Sequence, residues 1–200
     1  NGIELNTFTP HPSFNDVNLV ACGDYCSYVY TNDGELYVFG RNENGQLGLG
    51  GNETVQEPVL IPNITGIKKM VAVNATCFIL LDNGELLAVG ENAQGEFGLG
   101  DYESRNIFTT VATNVENFWY NNKTLIYYSD NYVYGVGNNN CNKLGLGNDV
   151  STSITPAKLL YTPGMKTVGI GNSNIMLVLS SNSTPIINYV SKSIPNFEFA

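Results

Sequence analysis

Short apolar runs of about four residues alternate with turn pairs and glycine-dense loops along most of this chain. The runs at 28–31, 78–81 and 125–128 precede the pairs Asp33-Gly34, Asn83-Gly84 and Asp130-Asn131, and runs at 36–39, 86–89 and 133–136 come after them. This pattern predicts hairpins, because the turn residues tolerate positive φ and the flanking residues are β-branched or aromatic. The runs are apolar at successive positions rather than at alternate ones. Strands covered on both faces read this way, as when one small sheet is stacked between two others. The stretch 58–64, "PVLIPNI", supplies a further strand, and no helical periodicity lasts beyond two turns.

The runs belong to a repeat. "DGELYVFGRNENGQLGLG" (33–50), "NGELLAVGENAQGEFGLG" (83–100) and "DNYVYGVGNNNCNKLGLG" (130–147) align over their whole length. Gly40, Gly90 and Gly137 open the three loops, spaced 50 and 47 residues apart. Asn42 and Asn92 hold the third place, Gly45 and Gly95 the sixth, and Gln46 the seventh. Leu47, Phe97 and Leu144 come next, then Gly48, Gly98 and Gly145, and finally Gly50, Gly100 and Gly147. A fourth copy starts at "VGIGNSNIMLVLSSNS" (168–183) and loses the pattern. Units of four short strands recurring every ~40–50 residues predict an all-β chain folded as a β-propeller. The expected division is 1–18 as the tail of a preceding unit, 19–66, 67–114 and 115–164 as full repeats, and 165–200 as a partial fourth repeat with a tail. In the first segment Thr9-Pro10 stands where Pro58 and Thr155-Pro156 stand later, so the chain is expected to start within a blade.

The loops themselves invite a phosphate-cradle reading. A dinucleotide or Walker loop needs a helix after it, and the latter a Gly-Lys-Ser/Thr ending. These loops instead run on into "GNETVQEP" or "DYESRNIF". The loops are therefore read as structural, with Gln46 bonding loop backbone and Leu47, Phe97 and Leu144 plugging beneath.

The pattern G-x-N-x-x-G-Q-L-G-x-G after strand–Asp-Gly–strand resembles the repeats of the regulator of chromosome condensation family. The resemblance covers about residues 9–182. It weakens along the chain: Gln46 becomes Glu96 and then Lys143, and Gly45 becomes Asn142. The family's G-x-x-H before the second strand is replaced by Gly23-Asp24-Tyr25 and by Asn74-Ala75-Thr76. The resemblance implies a propeller of seven-blade type, of which 200 residues supply about 3.5–4 blades. It also implies guanine-nucleotide exchange on a small GTPase as one activity, although no insertion long enough for the family's β-hairpin wedge is present.

Composition narrows the chemistry. Nine Lys and Arg against eighteen Asp and Glu leave a net charge of −9, the wrong sign for direct nucleic-acid binding, which needs a cationic footprint. A basic protein partner suits it better. No apolar run approaches the ~20 residues of a membrane helix. His11 is the single histidine, so no Ser-His or Cys-His pair is set up beyond it. Cys22, Cys26, Cys77 and Cys141 lack metal-ligand spacing. No catalytic residue, cofactor or metal is nominated.

The variable loop tails are the candidate contact surface, since rigid scaffolds often present binding residues on loops. Asp101, Tyr102, Glu103 and Arg105 of "DYESR", with Glu53 and Glu57, are the contact candidates, and a solvated loop is the alternative. Trp119 is either an interface anchor or core. The expectation is a non-enzymatic protein-interaction scaffold in an intracellular assembly, with other chains completing or capping the propeller. The alternatives are the exchange factor and a secreted binding or inhibitor propeller. The sequons at Asn52, Asn63, Asn74, Asn122 and Asn182 bear on the last.

Overall fold

The computed structural model describes residues 13–178 and 186–189. His11, Thr9-Pro10 and the Asn182 sequon lie outside the described residues. The first sheet is built from β1 (Val17–Cys22), β2 (Cys26–Thr31), β3 (Leu36–Gly40) and β4 (Val55–Ile61). The second comprises β5 (Ile67–Val73), β6 (Thr76–Leu81), β7 (Leu86–Gly90) and β8 (Arg105–Ala112). The third comprises β9 (Val115–Asn121), β10 (Thr124–Ser129), β11 (Tyr132–Asn138) and β12 (Thr152–Tyr161). The fourth shows β13 (Thr167–Ile170), β14 (Asn174–Val178) and β15 (Ile186–Tyr189). Every sheet is an antiparallel meander in chain order, so each blade closes within one contiguous segment. The first strands of successive sheets touch, β1 with β5, β5 with β9 and β9 with β13. Among the described residues no comparable contact joins the first sheet to the fourth. The fold is all-β, an incomplete propeller.

Burial explains the unbroken apolar runs. Cys77, Ile79, Leu87 and Val89 face the first sheet, where they pack with Tyr28, Leu36 and Val38. Phe78, Leu80, Leu86 and Ala88 lie on the opposite side, against Phe118, Leu125 and Val136 of the third sheet. Both faces of β6 and β7 are thus core. At ~25 cal/mol per Å2 of apolar area, each sheet is stabilised mainly through its neighbours. Tyrosine hydroxyls fix the links between blades. The Tyr30 hydroxyl accepts the amides of Gly66 and Ile67 at 2.9 and 3.3 Å. The Tyr128 hydroxyl donates to the Thr162 carbonyl at 3.0 Å.

Two local expectations are corrected. The Asp-Gly and Asn-Gly hairpins are not two-residue turns with both residues left-handed. Gly34 and Gly84 have φ of +84°, while Asp33 and Asn83 are not in the positive-φ region. Gly34 N–H bonds the Thr31 carbonyl at 3.1 Å and Thr31 N–H bonds Glu35 at 3.0 Å, a three-residue loop ending in a left-handed glycine. The third hairpin loop is one residue shorter, and there Asp130 and Asn131 do form the two-residue turn, with φ of +51° and +64°. The strand expected at 58–64 is shifted to Val55–Ile61, because Pro62 has no amide to offer a ladder.

Candidate interaction surfaces

The glycine-rich loop carries the outer strand of each blade and locks that blade to the next. Asn42, almost fully buried, is its pivot. Its Oδ1 accepts the Leu47 amide at 2.9 Å and its Nδ2 donates to the Gly51 carbonyl at 2.9 Å. Asn92 repeats this with Phe97 N–H at 2.9 Å and the Asp101 carbonyl at 3.1 Å. Asn139, which the sequence reading does not single out, is the third pivot, with Leu144 N–H at 2.7 Å and the Val150 carbonyl at 2.6 Å. Its position two residues after Gly137 is the available signal. Gln46 Oε1 accepts the Asn44 amide at 2.9 Å. The amides of Gly45 and Gly48 bond within the loop, and Gly50 N–H reaches the Asn106 carbonyl of the next blade at 2.8 Å. The loop's donors serve the fold, which removes the phosphate-cradle reading for the loop. Leu47, Phe97 and Leu144 are buried beneath it.

The glycines answer to close approach. A Cβ on Gly90, where φ is +99°, would sit 2.0 Å from the Ala75 carbonyl oxygen. Asn142 keeps the left-handed conformation of Gly45, with φ of +54° against +72°, as asparagine can. Glu96 and Lys143 occupy the seventh place fully buried. Glu96 Oε2 accepts the Gln94 amide at 2.7 Å, and its other oxygen accepts the Tyr120 hydroxyl at 3.3 Å. Burial pushes the Glu96 carboxyl above its ordinary range and pulls the Lys143 ammonium down to about 8.

The rim candidates separate into two kinds. Arg105 is engaged by its own loop, with a 2.7 Å ion pair to Asp101 and a bond to the Glu103 carbonyl at 2.5 Å. Arg105 beside it, with the Glu103 amide, holds the Asp101 carboxyl below its usual range. Tyr102 is 54% exposed, and its hydroxyl lies 3.4 Å from Thr152 Oγ1. Glu53, Glu57 and Glu103 are exposed. Gly50, Gly100 and Gly147 have open space where a Cβ would be. Phe118 and Tyr120 are core. Trp119 is half-buried at the third core with Lys69 Nζ 5.0 Å from its ring. Cys26 and Cys77 are buried, Cys22 and Cys141 exposed, and all four are free thiols. Among the described residues no acidic, His or Cys group is arranged to hold a metal, and no helix is long and apolar enough to cross a membrane.

The face of the first sheet turned away from the second is the largest departure from the repeat. Val20, Met70 and Phe118 hold equivalent places, paired with Val29, Ile79 and Tyr127. Phe118 is fully buried and Met70 half-buried, whereas Val20 is 64% exposed. Cys22 is exposed too, and its counterparts Ala72 and Tyr120 both pack into the cores between sheets. Phe14 lies across Tyr37 on this face, ring centroids 5.4 Å apart.

Repeated four-stranded meanders, stacked face to face and locked by Asn-pivoted glycine loops, define a β-propeller of repeat type. Two models described as the regulator of chromosome condensation (RCC1) repeat match residues 33–78 and 17–46. The chain is an RCC1-repeat propeller. Protein RCC2 of Homo sapiens is 40% identical over 135 residues, 68% of this chain and 17% of that protein. The ultraviolet-B receptor UVR8 of Arabidopsis thaliana is 40% identical over 79 residues, 37% of this chain and 18% of the receptor. Among solved structures, human WBSCR16 superposes with a TM-score of 0.70 at 23% identity, over 82% of this chain and 45% of that one. Yeast RCC1 (Prp20), solved with Kap60, gives 0.68 at 18%, over 84% and 43%. The matches thus span less than half of each of these relatives.

Proposed function

We propose that this chain is a non-enzymatic protein-interaction module, a propeller arc that works by docking other proteins on its rim and on the open face of its first sheet. The observation that carries this reading is the exposure of Val20 and Cys22 at positions that are packed in the cores of the following sheets. Apolar surface of this kind marks an interface. Two solved structures of one relative support protein partners: yeast RCC1 (Prp20) was solved with Kap60, and Prp20p is described with binding properties toward Gsp1p and histones. The setting proposed is an intracellular assembly, in which further blades or other chains cover the face.

Guanine-nucleotide exchange is the second reading, favoured by relatives such as the X-linked retinitis pigmentosa GTPase regulator of Canis lupus familiaris, 46% identical over 48 residues. One experiment separates the two. The purified chain is added to small GTPases loaded with fluorescent GDP, and its native mass is measured in the form isolated from its source. The module reading expects unchanged nucleotide release and a mass above the single chain's 21.7 kDa. Accelerated release by the chain alone would overturn it in favour of exchange.

A further inference from the structure

The link between β1 and β2 is as long as its counterparts: residues 23–26 stand between the paired Cys22 and Ser27, as 73–76 stand between Ala72 and Cys77 and 121–124 between Tyr120 and Leu125. Asp24-Tyr25 stands where Asn74-Ala75 and Asn122-Lys123 stand in the next two sheets, with Gly23 in the place of Val73 and Asn121. The carbonyls of Tyr25, Ala75 and Lys123 still share one task, accepting the amides of Arg41, Glu91 and Asn138 at 2.8, 2.9 and 2.8 Å. The Tyr25 side chain nevertheless lies outside, 79% exposed, on a backbone with φ of +60°. Asparagine adopts that conformation readily, and Asn74 and Asn122 do so in the following turns, at +54° and +46°. An aromatic residue is strained there.

Beside the ring lies an open cleft of about 520 Å3, lined by Tyr25, Gly40, Arg41 and residues 54–57. The Arg41 guanidinium covers one side of the ring at 6.0 Å, the outer limit for a cation–π contact. Arg41 is already paired with Glu43, and Asp24 also acts on it. With Glu57 in the lining, carboxylates outnumber cations around the cleft, in a chain of net charge −9.

We propose that the Tyr25 cleft docks a basic segment of a partner protein, with an arginine or lysine side chain laid on the exposed Tyr25 ring and its charge turned toward Glu57. This rests on the interaction-module reading and gives it a surface and a partner chemistry. Tyrosine is among the residues that anchor interfaces, and the negative surroundings select a cation.

The test compares the wild-type chain with Tyr25→Asn, a residue that adopts the left-handed backbone readily and leaves net charge unchanged. Binding of a fluorescent peptide with three arginines spaced by Gly-Ser is read by anisotropy, beside its glutamate counterpart. Loss of the ring should weaken the arginine peptide about tenfold, while the melting temperature stays the same or rises. Glu57→Gln should weaken it less and flatten its salt dependence. Equal binding by wild type and Tyr25→Asn, no binding by wild type, or preference for the glutamate peptide would each overturn the proposal. So would a wild-type dimer that Tyr25→Asn dissolves, since the occupant would then be a second copy. None of these outcomes alters the nucleotide-release result, so this proposal can fail while the module reading stands.

Discussion

Replacing Asn42 by alanine removes both arms of one loop pivot. The Leu47 amide loses its acceptor at 2.9 Å and the Gly51 carbonyl loses its donor at 2.9 Å. Leu47 is fully buried, so water does not readily replace the first bond. An unmade buried bond costs ~1–3 kcal/mol and a lost net bond about 1, giving roughly 2–4 kcal/mol for the pair. For a chain of this length ~3 kcal/mol corresponds to a fall in melting temperature of roughly 6–12 °C. The more specific assay is hydrogen exchange at the Leu47 amide. An opening made easier by ~3 kcal/mol speeds exchange on the order of 100-fold. Asn42→Asp keeps the acceptor for Leu47 but sets a carboxylate against the Gly51 carbonyl, so it should fail to restore the loop. If Asn42→Ala left both exchange and melting unchanged, or if aspartate rescued it fully, the pivot would not be what holds the loop.

Other expectations rest on single positions. Gly90→Ala places a methyl 2.0 Å from the Ala75 carbonyl at φ +99° and should destabilise by ~3 kcal/mol or more in a denaturant titration. Lys143→Gln, which restores the seventh-place residue of the first repeat, should stabilise the chain near neutral pH. The Lys143 pKa falls from 10.5 to about 8 on folding, so the penalty is complete below pH 8, fades as pH rises through that window and is gone above 10.5. Its full size is about 3 kcal/mol, and melts at pH 7 and pH 10 should show the gain shrinking. A gain independent of pH would contradict a burial penalty on the charged amine. Glu96 has the opposite sign: its raised pKa disfavours the fold as pH climbs past the ordinary carboxylate value, so Glu96→Gln should help at pH 7 and cease to help in acid. Tyr25→Asn should gain about 1 kcal/mol by relieving a left-handed aromatic.

Much of the architecture is legible in the sequence because it is periodic. The apolar runs, the loop glycines and the plugs at Leu47, Phe97 and Leu144 recur, and recurrence shows without any knowledge of contacts. The features that stay hidden depend on single-residue differences between copies. The Asp33-Gly34 and Asp130-Asn131 turns look alike, yet one residue more in the first hairpin changes the turn. Tyr25 reads in sequence only as part of a missing histidine motif, because the turn has the same length as the others and only the backbone shows Tyr25 exposed at positive φ where Ala75 stands in the next turn. Arg105 looks available, but the neighbouring Asp101 claims it, an outcome set by loop geometry. The open face of the first sheet is equally hidden: Val20 and Cys22 read as ordinary core residues until their counterparts in the next sheets are placed.

The alkylation rate of Cys22 reports whether the outer face of the first sheet is covered in the native protein. Cys22 is an exposed thiol on the open face, Cys141 an exposed thiol on the glycine-rich loop of the third sheet, and Cys26 and Cys77 are buried. Iodoacetamide labelling is followed by mass spectrometry in the isolated chain and in the form purified natively from its source. Cys22 should be protected at least tenfold in the native form while Cys141 sets the reference rate. Equal reactivity of Cys22 in both forms would show the face uncovered and contradict the account.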